Sequence, residues 1–123
     1  MTMTVSTQVN PIATRLAVDS ALSSTIQANL FGAPATLYLV EIDNTANAGA
    51  ASYVKLWDAL TATVGTTDPH LVLRAPAATK LTYALPSGVA FAVGCSAACV
   101  TSPGTPGVTG PTSAVVVRLL ASV

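Results

Sequence analysis

The chain has 123 residues, 51% of them hydrophobic and only 8% charged, with five basic and five acidic side chains that leave no net charge. That length predicts one domain able to bury roughly two-thirds of its unfolded surface, with far fewer charges than the quarter or so that is ordinary. Scattered, balanced charges with no basic stripe exclude nucleic acid as the main partner. The longest apolar window, Val89 to Val100, is broken by Gly94 and Ser96 and falls short of the roughly 20 residues of a membrane-spanning helix.

Met1 to Asn10 (MTMTVSTQVN) is polar, Thr-rich and uncharged. This suits an edge strand or an extended arm, because β-branched residues lose rotamer freedom in a helix. No basic stretch followed by an apolar one opens the sequence, so no signal peptide is expected. Pro11 ends the arm. Thr14 to Ser24 fits either a short helix or an irregular strand through Leu16, Val18 and Leu22. Ile26, Ala28 and Leu30 then alternate with Gln27, Asn29 and Phe31, which predicts a strand that Gly32 and Pro34 terminate.

Thr36 to Ile42 predicts a strand with Tyr38, Val40 and Ile42 on one face and Leu37, Leu39 and Glu41 on the other. Asp43 to Ala50 reads as a loop rich in Asx turns. Ser52 to Trp57 is again a strand. Setting Glu41 opposite Lys55 also sets Ile42 on Val54 and Val40 on Leu56, so a hairpin is expected that satisfies an ion pair and an apolar face in one register. Asp58 to Asp68 is a connection with Gly65 near its middle. From Pro69 to Val100 three alternating segments follow, His70 to Arg74, Thr79 to Leu85 and Val89 to Val93. Pro76 and Pro86 stand between them, where a missing N–H costs no ladder bond. These three are the expected core strands. Thr101 to Thr112 (TSPGTPGVTGPT) predicts a long exposed loop, mobile until something covers it. Ser113 to Ala121 predicts a closing strand, paired inside a sheet because an open apolar edge invites aggregation. About eight strands with turn signals at short, regular spacing predict an all-β, antiparallel β-sandwich of jelly-roll-like type. An N-terminal arm or edge segment is assigned to residues 1–20 and one sandwich domain to residues 21–123.

Little in the sequence points to chemistry. His70 is the only histidine, with Asp68 two residues away. No Gly-x-Ser-x-Gly elbow or other nucleophile accompanies it, so it reads as an ordinary side chain near a loop. Cys95 and Cys99 would lie about 13 Å apart on one face of a regular strand, too far for a disulfide, and with one histidine they cannot close a zinc site. They are expected to be reduced, buried thiols, which implies a reducing compartment during synthesis. Glu41, Asp43, Asp58 and Asp68 follow no calcium-loop spacing, and the glycines form no phosphate-binding loop. No catalytic residue, cofactor or metal is expected. Tyr53 and Trp57 alternate with Lys55 on one face, which fits a protein or carbohydrate contact or, more simply, a covered strand face.

Three stretches carry a resemblance: LYLVEIDNTANAGAASYVKLWDA, VGTTDPHLVLRAPAATKLTYALPSGVAFAVGCSAACVT and PTSAVVVRLL. In them a strand ending in Asp-Asn-Thr-Ala-Asn precedes a lysine-bearing strand, a Val-Gly-Thr-Thr-x-Pro turn follows, and Pro-x-Gly-x-Ala-Phe comes near the third core segment. The pattern, spanning Leu37 to Leu120, resembles small structural proteins encoded by tailed bacteriophages and prophages. The resemblance implies a virion component with a β-sandwich fold. Together with the low charge and small size it leads to an expected capsid decoration (cement) protein, made in the host cytoplasm and bound to the outer capsid surface. There it would bridge major capsid protein subunits as a homotrimer, without nucleic acid or membrane as a partner. The alternative is a receptor- or glycan-binding module of a tail fibre or baseplate that uses Tyr53, Trp57 and the loops. The residues expected to make contacts are Thr2, Thr4, Val5, Tyr53, Trp57, Pro103 and Pro106.

Overall fold

A computed structural model of the chain describes residues 13–123. Seven strands account for the regular structure among them: β1 (Arg15–Asp19), β2 (Ala35–Asp43), β3 (Ser52–Asp58), β4 (Leu71–Ala75), β5 (Lys80–Phe91), β6 (Cys95–Val100) and β7 (Val116–Ser122). They form a four-stranded sheet in the order β1-β7-β2-β5 and a three-stranded sheet in the order β4-β3-β6. Every pairing is antiparallel. The protein is an all-β sandwich.

The core follows from period-two alternation on β2 and β7, the two central strands of the larger sheet, which pack on β3 and on the wholly buried β6. Val40 and Ile42 of β2 and Val117, Leu119 and Ala121 of β7 face Val54 and Leu56 of β3 and Cys95, Ala97 and Cys99 of β6, all of them buried. Phe91 at the end of β5 and Leu37 on β2 fill the same layer. One tie crosses between the sheets: the Tyr83 hydroxyl on β5 donates to the Arg74 carbonyl on β4.

Several expectations from the sequence are corrected here. The expected β2–β3 hairpin does not form, because β2 and β3 belong to different sheets. Glu41 lies opposite Thr82 and Arg118 and pairs with Arg118 at 2.9 Å and Lys80 at 3.7 Å, while Lys55 lies in the other sheet. The three core segments also separate: β4 borders the three-stranded sheet, and the second and third fuse into the single strand β5. The fusion runs through a bulge. Leu37 and Leu39 of β2 pair with Val89 and Ala84 of β5, so Leu85 to Gly88 stand against Tyr38 alone. Pro86 is tolerated because β5 is an edge strand. Gly88 adopts φ +75°, and a Cβ there would run into Thr36 and Tyr38. Val93 is not part of any strand and is exposed.

The predicted strand over Ile26 to Phe31 is absent. Gln27 makes a single bridge to Ala97, after which the chain turns at Asn29 in the left-handed region. The ambiguous stretch from Thr14 contains β1, an edge strand paired with β7.

Candidate interaction surfaces

The two outer faces of the sandwich differ. On the three-stranded sheet the outer face carries Tyr53, Lys55 and Trp57 from β3, and loops cover it. The Trp57 indole donates to the Thr67 carbonyl at 2.9 Å, and the Lys55 ammonium donates to the Gly104 carbonyl. Only 2% of Trp57 and 1% of Lys55 remain exposed. The two covering loops also hold each other. The Thr105 hydroxyl donates to Asp68, and Gly65, at φ +94°, lies so close to Val108 that a side chain there would collide with it. Burial pushes the Lys55 ammonium below the ordinary lysine value.

The contact residues expected from the sequence therefore divide. Thr2, Thr4 and Val5 lie outside the described residues. Trp57 is not available to a partner, because the loop around Thr67 seals it. Tyr53 is half-buried on the same face, and Pro103 and Pro106 are exposed on either side of Gly104. The Thr101 to Thr112 loop, expected to await a cover, is itself the cover. It is pinned by Thr101 to Thr109 backbone pairing and by Lys55.

The Asp-Asn-Thr-Ala-Asn motif builds a buried polar knot. Asn44 donates to the carbonyls of Ala50, Ala75 and Pro76. Its own Oδ1 accepts from Asn47 at 2.9 Å and from the Ser52 hydroxyl at 2.8 Å. Asn47 reaches on to the Ser113 carbonyl and accepts from the Ser113 amide. One end of β2 is thereby tied to β3, to the β4–β5 turn and to the approach to β7. Asp43 closes a local turn by accepting from the Thr45 amide. This is architecture rather than a site.

The candidate chemical groups are equally placed in structural roles. The exposed His70 ring stands edge-on to Phe91 at 5.2 Å, and Asp68 is engaged by Thr105 instead. Asp58 accepts from the Val93 and Gly94 amides, which fixes the β5–β6 turn and holds its carboxyl below the usual range. Cys95 and Cys99 are buried and free, and burial pushes both thiols up to about 12. Among the described residues no three His, Cys, Asp or Glu side chains group as metal ligands would, and no helix is long and apolar enough to cross a membrane.

The outer face of the four-stranded sheet is the surface that sequence reasoning missed. Register places Leu16, Leu120, Leu39 and Ala84 in one row across all four strands. Two residues along, Val18, Arg118, Glu41 and Thr82 form the next row. Among the described residues no loop covers the β1 side of this face: Leu16 is 57% and Val18 53% exposed. The signal was present in Leu16 and Val18, whose spacing suits a strand with an apolar face, but nothing in the sequence told which side of the sheet they would occupy. Comparison with family models, with curated proteins and with solved structures gave no match for this chain.

Proposed function

We propose that the chain is a structural component of a tailed-phage virion, a capsid decoration protein that adheres to the outer head surface and bridges major capsid protein subunits. The observation that carries this reading is the apolar row Leu16, Leu120, Leu39 and Ala84 on the outer face of the four-stranded sheet, open on its β1 side among the described residues, on a chain with 8% charged residues. A contiguous apolar strip on a small domain marks a surface that is buried in the working state. Adhesion of this kind needs shape and neutral surface rather than chemistry, in keeping with polar groups that serve turns and the buried knot. That apolar face can be buried against the head or within an assembly of this chain; in the second case the Pro103 to Pro106 loop tip and Tyr53, on the opposite side, meet the head. The glycan-binding alternative loses its main support, because Trp57 lies under the Thr67 loop and offers no stacking face.

The test uses purified heads lacking this protein. Added chain should bind in hundreds of copies per head and raise the temperature at which heads release their genome, with weak dependence on salt, since few ion pairs are available for screening. Failure to bind such heads at any salt concentration overturns the reading, as does a count of a handful of copies per virion located at the tail.

A further inference from the structure

We propose that the outer face of the four-stranded sheet is closed by the same face of a second copy, related by a twofold axis along the seam between β7 and β2. A twofold contact needs a surface complementary to itself, and this face has that property at its centre. β7 and β2 are the two middle strands of the sheet, and they carry opposite charges side by side, Arg118 and Glu41, 2.9 Å apart. A half-turn about an axis parallel to the strands lays β7 on β2 of the second copy and preserves the rows. Arg118 then meets Glu41 of the second copy and Glu41 meets Arg118 of the second copy, so neither charge is covered without an opposite one. In the next row Leu120 meets Leu39 of the second copy, and Leu16 on β1 meets Ala84 on β5. Lys80, on the β5 edge and 53% exposed, stays at the rim.

Other arrangements use the face less well. A half-turn about an in-plane axis perpendicular to the strands would lay β7 on β7 and β2 on β2, so Arg118 and Glu41 would meet either like charges or another row that offers no new opposite charge, at a desolvation cost. Threefold association, expected from the sequence, cannot stack one flat face on its equal. Four strands at about 4.8 Å spacing and some seven residues long give a plan area of about 450 Å² per copy. That lies at the low end for specific association, so pairing is reversible and concentration-dependent, with the sheets aligned as in a sandwich.

The inference rests on the reading of this face as buried in the working state, but its test needs no head. In sedimentation the wild-type mass should rise with concentration from 12.3 kDa towards twice that value. Glu41→Arg and Arg118→Glu chains should each stay monomeric, because each sets like charges across the seam, and an equimolar mixture should regain the dimer. Regained pairing also reports that both variants are folded. Leu16→Ser, on a half-exposed edge strand, should weaken the wild-type dimer several-fold with an unchanged circular dichroism spectrum. A wild-type chain that stays monomeric at its solubility limit overturns the pairing, as does a mixture no more associated than its components or a Leu16→Ser dimer of full affinity. A monomer that binds heads would sink the twofold pairing alone, whereas a dimer that ignores heads would sink the decoration reading alone.

Discussion

The ammonium of Lys55 and the carbonyl of Gly104, 49 residues apart in the chain, join a strand to the loop lying over it. Lys55 is buried with no carboxylate beside it among the described residues, so the charge carries a desolvation cost that one carbonyl offsets only in part. Replacing it with methionine keeps the stem packing and removes that cost, while the exposed Gly104 carbonyl turns to water. Lys55→Met should therefore raise unfolding stability by about 1 kcal/mol, and Lys55→Ala, which leaves a void, should lower it by about 2 kcal/mol. Urea titration of the three proteins checks both signs. A methionine variant less stable than wild type would show that the loop depends on the charge.

Asn44 is the centre of the polar knot. Its replacement by alanine leaves the Ser52 hydroxyl without its acceptor and the buried Ala75 carbonyl without its side-chain donor, and takes one of two acceptors from the Asn47 amide. Buried polar groups left unpaired are costly, so Asn44→Ala should lose about 3 kcal/mol. Asn44→Asp keeps the acceptor but no donor and should also lose stability. Denaturant midpoints with an unchanged slope would locate the loss in the native state.

Acid should destabilise the fold through Asp43 and Asp58. The Thr45 hydroxyl and amide lower the first below 3.8, and the Val93 amide followed by that of Gly94 lowers the second. A carboxyl with a lower value folded than unfolded adds stability that is fully present above its unfolded value. That stability is lost as pH falls through the folded one. Melting temperature should hold level above about pH 5 and fall below about pH 4. Asp58→Asn, which retains an acceptor but cannot titrate, should flatten the acid limb. An acid limb identical to wild type would remove Asp58 from the account.

Cys95 and Cys99 are held protonated at neutral pH by burial, and the thiolate is the reactive form. The native protein should react slowly with thiol reagents and yield two equivalents when denatured without reductant. Fewer than two equivalents would reveal an oxidised pair.

Alternation told which residues face inward, and it told little about which strands meet. Val40 and Ile42, and Val54 and Leu56, were legible as one face of a strand, and all four lie in the core. Glu41 and Lys55 show the limit of that signal. Two alternating runs joined by a loop fit a hairpin as well as they fit opposite layers, and the sequence carries no term for the Arg118 and Lys80 that claim Glu41. Pro86-Ser87-Gly88 reads as a turn, but on an edge strand the same residues make a bulge. Trp57 was legible as one of a covered or a contacting pair. Its cover is a loop that shows no apolar periodicity, and it is recognised by one carbonyl. The apolar row through Leu16 and Leu39 was illegible for a further reason, since its members come from strands that register, not sequence spacing, brings together.

The order of the larger sheet has a consequence for how the protein is made. β7 comes after the other six described strands in the chain, yet it lies between β1 and β2, and of all the pairings described β3–β4 alone joins strands consecutive in sequence. As the chain leaves the ribosome, β1 has nothing to pair with and one flank of β2 stays open until Val116 to Ser122 appear. Loop closure of such length slows folding, and open strand flanks are the species that aggregate. A chain with 8% charged residues has little self-repulsion while it waits, so the interval before β7 slots in is when aggregation competes with folding.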